Sequence, residues 1–264
     1  MMAATYLDAI LAAHRGRAAR DVRPFERLAE QARACSPARG FAAALTDGFS
    51  VIAEVKRRSP SKGAIDADLD AAALASGYER GGAACISVLT DVEHFGGSAE
   101  DLIAARDAVA VPVLRKDFTV SLSDVCDARI MGADAVLLIV AALDDSELSD
   151  FHALAIELGL DALVEVHDEA ELERAMRVDA RLVGVNQRDL ITFAVDTERA
   201  IRLAPQMPAG VVRVAESGIG GPDDAVPLAA AGYHAVLVGE SLVRSADPAA
   251  AVAVMVAVGR KADQ

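Results

Sequence analysis

The chain has 264 residues, a net charge of -14 and no Trp, and a chain of this length can bury roughly three quarters of its unfolded surface, enough for one large core. The acidic balance, with only seven Phe and three Tyr, removes the basic footprint and most of the stacking residues that nucleic-acid binding needs. Hydrophobic types at 53% and charged types at 25% exclude a disordered chain or a disulfide scaffold.

Residues 1–50 read as an N-terminal helical extension, with helices from Thr5 to about Arg20 and from Phe25 to about Cys35 parted by Pro24. From Val51 the pattern changes to short runs rich in Val, Ile and Leu: Val51 to Lys56, Cys85 to Thr90, Val111 to Lys116, Ala135 to Val140, Ala162 to Val166, Leu182 to Asn186, Val211 to Glu216, and Ala235 to Gly239. Most are near-continuous rather than alternating, as strands buried on both faces of a parallel sheet require. Between them lie segments with helical spacing, such as Leu69, Ala73, Leu74 and Tyr78, with start signals at Ser98, Asp144, Asp168 and Asp196. Gly81, Gly132, Gly159 and Gly232 follow helical patterns and precede strands, where glycine best tolerates a left-handed cap. The strands recur about every 26 residues, and eight such units predict an α/β fold, a (β/α)8 barrel over 51–258 closed by a last helix from Pro248 to about Val258. A single barrel domain with the extension covers 1–264. A doubly wound sheet is the alternative, but its first strand is often followed by a Gly-rich loop, and here Arg57, Arg58, Ser59 and Pro60 follow.

The longest apolar runs, Ala135 to Leu143 and Ala249 to Val258, are shorter than the ~20 residues that span a bilayer, and Asp8 interrupts any signal-like start. No membrane association and a cytoplasmic location are expected. Cys35, Cys85 and Cys126 are odd in number and form no CxxC pair, so reduced, packed thiols are expected.

Residues two apart on a strand face the same way, so Glu54 and Lys56 share a face at the C-terminal end of the first strand, the end where barrels place their active sites. Strand 3 ends in Lys116, strand 5 carries Glu165, strand 6 ends in Asn186, and strand 7 in Glu216 followed by Ser217. Charges buried at matching depth on several strands must neutralise one another or serve a ligand. Two lysines among carboxylates make an acid-base set, and proton transfer is the natural chemistry. The five histidines are scattered, no metal-ligand spacing is present, and no metal is expected. Of them, His94 and His167 fall in loops facing the site, with ordinary loop roles expected for both.

The loop after strand 7, Glu216-Ser217-Gly218-Ile219-Gly220-Gly221, and the end of strand 8, Gly239-Glu240-Ser241, occupy the address at which barrels commonly hold phosphate on backbone N–H groups. A protein this acidic repels an anion at long range, so local cations must attract it. Arg57, Arg58, Lys62 and Arg188 are the candidates. Phe95 and Phe118, after strands 2 and 3, are placed to bracket a planar ring.

Taken together, Ile52-Ala53-Glu54-Val55-Lys56-Arg57-Arg58-Ser59-Pro60-Ser61-Lys62-Gly63, Val113-Leu114-Arg115-Lys116-Asp117-Phe118, Leu163-Val164-Glu165-Val166-His167, Gly184-Val185-Asn186 with Arg188, and Ala215-Glu216-Ser217-Gly218-Ile219 resemble the indole-3-glycerol phosphate synthases. The resemblance runs from about Tyr6 to Val258. It implies an enzyme of tryptophan biosynthesis that needs no cofactor and converts an anionic aromatic phosphosugar, 1-(2-carboxyphenylamino)-1-deoxyribulose 5-phosphate, to indole-3-glycerol phosphate with loss of CO2 and water. It implies a catalytic set of Glu54, Lys56, Lys116, Glu165, Asn186, Glu216 and Ser217, with Lys116 as general acid in ring closure, Lys56 or Lys116 as acid in the dehydration, and Glu165 as its base. It also implies substrate contacts from Ser59, Phe95, Phe118, Arg188, Gly218, Gly239 and the Glu240 N–H. Gln187, Arg58 and Glu240 depart from the family's commoner residues, and of these Glu240 touches the detail of phosphate binding, side chain or backbone, and not the reaction. A monomer is slightly favoured, although no residue pattern sets the oligomeric state. Two rival readings are a Schiff-base aldolase, which also uses a lysine at a barrel strand end, and a phosphosugar-binding protein without turnover. An added sugar-phosphate isomerase activity stays open, with no signature residues for it.

Overall fold

A computed structural model describes residues 5–59 and 63–262, with side chains through Val258. Eight parallel strands, β1 (Ser50–Val55), β2 (Cys85–Leu89), β3 (Val113–Lys116), β4 (Ala135–Ile139), β5 (Asp161–Val166), β6 (Leu182–Asn186), β7 (Val212–Glu216) and β8 (Ala235–Val238), close into a barrel in which β1 pairs with both β2 and β8. Nearly every strand residue is buried, because side chains alternate between the barrel interior and the surrounding helices. Continuous Val, Ile and Leu runs satisfy both sides at once.

The third strand starts at Val113, two residues later than the apolar run. Pro112 has no N–H to give to a ladder and contributes only its carbonyl, which accepts from Ile86 N. Val140 leaves the fourth strand and opens a 3-10 turn. Ser98, Asp144 and Asp168 cap helices as expected, their side chains accepting from the backbone three residues on. Asp196 does not: the helix there begins at Arg199, and the Asp196 carboxylate accepts instead from Glu198 N and ion-pairs Arg202. Gly132, Gly159 and Gly232 take left-handed backbone, whereas Gly81 is right-handed and Gly82 adopts the positive φ. Gly81 is constrained by packing, since a Cβ there would lie 2.4 Å from the Ala249 carbonyl of the last helix, Pro248–Ala262.

The extension forms helices α1 (Tyr6–Ala18) and α2 (Phe25–Arg33) and a short turn at Ala43–Leu45. Phe41 and Leu45 are fully buried in the same core as the barrel strands. Arg39 binds the Val109 and Val111 carbonyls and Ala42 N binds Asp161, so residues 39–45 cover the N-terminal end of the barrel. By contrast α1 reaches the opposite mouth. Its Tyr6 ring meets Phe193 and its His14 meets Asp91, both on loops that follow strands.

Candidate active site

The strand registers step one residue per strand around the barrel, and following them from Glu54 leads to Lys116, Glu165 and Glu216 on β3, β5 and β7. Alternate strands thus supply one interior layer. In this barrel the uppermost layer holds three carboxylates and one ammonium. Lys116 Nζ lies 3.2 Å from Glu165 Oε2 and 3.3 Å from Glu216 Oε2. Lys56 Nζ donates to Glu54 Oε1 at 2.5 Å, and Asn186 Nδ2 donates to Glu165 Oε1 at 3.1 Å.

Burial alone would discharge Lys116, but the carboxylates of Glu165, Glu216 and Glu54 outweigh it and hold the ammonium well above its ordinary pKa. Glu165 is equally buried, yet Lys116, His167 and the Asn186 amide keep it ionised with a lowered pKa. Glu216 differs. Burial, with Glu165 and Glu54 adding to it against Lys116, pushes its carboxyl up to about 7. Neither Glu216 oxygen has a hydrogen bond from a described residue, although Oε2 stands in ionic contact with Lys116. Gly184 makes room for that carboxylate: a Cβ at this position would lie 2.1 Å from Glu216 Oε1.

Above this layer opens a cavity of about 450 Å³. The structure brings Glu54, Lys56, Lys116, Glu165, Asn186, Glu216 and Ser217 to its lining, together with Ser59, Phe95, Phe118, Arg188, Gly218, Gly239 and Glu240. One side of its rim is the turn after β7, where Ser217 and Gly218 both have positive φ. Gln187 Nε2 donates to the Ser217 carbonyl and steadies that turn. At Gly218 a Cβ would come within 2.5 Å of Val195 Cγ1, and at Gly239 within 2.5 Å of Glu54 Oε1, so both positions need glycine for close approach.

The N–H groups of Gly220 and Gly221 are taken by Asp224 Oδ2, which leaves the Gly218 and Gly239–Ser241 segments to face the cavity. Arg188 sits at the same rim, its guanidinium donating to the Phe193 carbonyl. Arg57 does not serve there: both its Nε and Nη2 bind Asp101, and it is absent from the lining. Arg58 is exposed, packed over Gly96, and Lys62, with Pro60 and Ser61, lies outside the described residues. Phe95 and Phe118 are 6.3 Å apart and tilted by 42°. At that separation the rings touch one another and form one wall, rather than two faces with a gap for a third ring.

Several lining or supporting residues escaped the sequence reading. Arg244, one turn beyond Glu240 and in contact with its carboxylate, adds a cation to the rim. His14 comes from α1 to meet Asp91 at 2.7 Å, inside a buried cluster with Asp117. Three such groups are close enough for one cation, but their donors are already used. Of the oxygens that face His14, Asp91 Oδ2 also meets the His94 ring and Asp117 Oδ1 accepts from the Phe118 N–H, and the Arg17 guanidinium abuts the His14 ring. His167, expected to be an ordinary loop residue, instead has its Nε2 at 3.5 Å from Glu165 Oε1.

Comparison with known proteins bears on this site. The family model described as indole-3-glycerol phosphate synthase matches residues 7–255. The chain is 50% identical over 262 residues to the indole-3-glycerol phosphate synthase of Mycobacterium leprae (strain TN), covering 98% of this chain and 96% of that one. It is 58% identical over 211 residues to the protein of that name from Nocardioides sp. (strain ATCC BAA-499 / JS614), covering 80% and 81%. Among solved structures, a thiamine phosphate pyrophosphorylase from Pyrococcus furiosus superposes with a TM-score of 0.62 at 15% identity, over 83% of this chain and 98% of that one. That likeness is one of fold alone.

Proposed function

The chain belongs to the indole-3-glycerol phosphate synthase family, the carboxy-lyases of tryptophan biosynthesis, and on that premise we propose that its cavity closes the indole ring of 1-(2-carboxyphenylamino)-1-deoxyribulose 5-phosphate. The observation that carries this reading is the charged Lys116 held between two buried carboxylates at the cavity floor.

Ring closure joins the carboxylate-bearing ring carbon to the ketone carbon, and the carbonyl oxygen gains charge as the bond forms. Lys116, kept protonated by its neighbours, delivers a proton to that oxygen so that no free oxyanion develops. Loss of CO2 returns its bonding electrons to the ring and restores aromaticity. The hydroxyl then leaves as water, taking a second proton from Lys56 or Lys116, while Glu165 removes the proton from the adjacent carbon to complete the double bond. Glu54 orients Lys56, Asn186 orients Glu165, and Glu216 balances the charge of Lys116. Ser59 and Lys56 meet the substrate carboxylate, and the Phe95–Phe118 wall supports its ring. Arg188, Ser217, Gly218, Gly239 and the Glu240 N–H hold the phosphate, with Arg244 as an added cation.

Product analysis tests the reading: incubation with this phosphosugar yields indole-3-glycerol phosphate and one equivalent of CO2, and recovery of unchanged substrate refutes it. The aldolase reading requires a neutral amine to attack a carbonyl, whereas the carboxylates hold Lys116 charged. Borohydride in the presence of substrate therefore leaves Lys116 unmodified.

A further inference from the structure

His167 follows Glu165 by two residues, just beyond the end of β5, and the strand alternation returns its ring toward the side of the barrel that holds Glu165. It does not line the cavity. Its Nδ1 and its backbone N–H both bind Glu171 Oε2, at 2.9 Å and 2.8 Å, from the first turn of the helix Glu169–Arg177. That carboxylate fixes the ring and makes Nδ1 the protonated nitrogen. The other nitrogen, Nε2, is buried, has no hydrogen bond to a described residue, and faces Glu165 Oε1 at 3.5 Å.

A neutral ring in this pose would set the Nε2 lone pair against a carboxylate oxygen. A protonated ring turns the same contact into an ion pair. Burial disfavours that charge, but Glu171 and Glu165 outweigh both burial and the Arg199 guanidinium, and the pKa of His167 is raised. Glu165 therefore faces two basic groups, Lys116 at Oε2 and His167 on the side of Oε1, the second an ion-pair partner whenever its ring is protonated. Only one of them donates protons to substrate in the reaction proposed above. When Lys116 gives up its proton it becomes neutral, and Glu165 then faces Glu54 and Glu216 without its main counter-ion.

We infer that His167 is a positioning residue that keeps Glu165 anionic and aimed at the substrate while Lys116 is discharged, with Glu171 holding the imidazole in place. The inference rests on the reading of Glu165 as the base. His167 acts through Glu165 and makes no contact with substrate, since it stands outside the cavity lining.

The test is a pH profile of kcat for His167→Gln, with Glu171→Gln and Glu165→Gln alongside the wild type. Loss of an opposite charge at this range raises a carboxyl pKa by about one unit or more. In His167→Gln the acid limb of kcat thus moves up by about one pH unit, maximal kcat falls roughly ten-fold, and KM changes little. Glu171→Gln moves the limb in the same direction by less, and it stands as the independent variant if His167→Gln does not fold. A folded His167→Gln, or failing that Glu171→Gln, with lower kcat but an unmoved acid limb overturns the inference and leaves His167 a packing role. Full turnover in Glu165→Gln overturns the reading of Glu165 as base, and the inference with it. Inactive Glu165→Gln beside a His167→Gln of wild-type profile overturns the inference alone.

Discussion

Residue by residue, the floor of the cavity is a set of three buried carboxylates that share two ammonium groups. Lys56 pairs with Glu54, and Lys116 lies between Glu165 and Glu216. Three carboxylates exceed two ammonium groups, and among these three it is Glu216 whose carboxyl is pushed up, to about 7, so it is the one that takes a proton most readily. A group whose pKa is higher folded than unfolded binds its proton more tightly in the native state, so its contribution to stability falls as pH rises from the ordinary carboxylate value, about 4.5, through 7. Glu216→Gln removes this titration. Denaturant unfolding at pH 5 and pH 8 should show a smaller loss of stability across that interval in the variant than in the wild type, and an equal loss contradicts the assignment.

At the scale of elements, two packing arrangements set the site. β6 passes close to Glu216 because residue 184 is glycine, and Gly184→Ala would put a methyl group 2.1 Å from Glu216 Oε1. The carboxylate must shift and draw Lys116 with it. Displacements of this kind cost up to about 100-fold in rate, so Gly184→Ala should lower kcat by about ten-fold or more, while circular dichroism stays that of a folded barrel. Helix α1 is the other arrangement, tied to the mouth by a His14–Asp91 contact that is almost wholly buried. His14→Ala removes the shortest side-chain contact of Asp91 and leaves it the N–H groups of His94 and Phe95 and the longer contact with the His94 ring. The cost is roughly 1–3 kcal/mol, read as a lower unfolding midpoint, and looser support of Phe118, on which His14 packs, should raise KM.

At the scale of the whole molecule, the eight strands were legible because each is a short continuous apolar run, and the strand-end residues because a charge at the end of such a run has few structural uses. What escaped notice depends on contacts distant in sequence. His14 lies 77 residues from Asp91, and Arg57 resembles a ligand cation until Asp101 is seen to hold it. Gly81 and Gly82 are adjacent, and only the backbone tells which one turns left-handed. The antiparallel pairing of Arg58–Ser59 with Gly63–Ala64 has no periodicity to reveal it. The residues proposed for the reaction nevertheless converge on one cavity. The most direct test of that convergence mixes the purified protein with 1-(2-carboxyphenylamino)-1-deoxyribulose 5-phosphate and follows indole fluorescence, which a chain without Trp reports against little background. A rising indole signal is expected, slowed at least ~100-fold in Lys116→Ala with the fold intact; no signal from the wild type, or an undiminished one from the variant, refutes Lys116-driven ring closure.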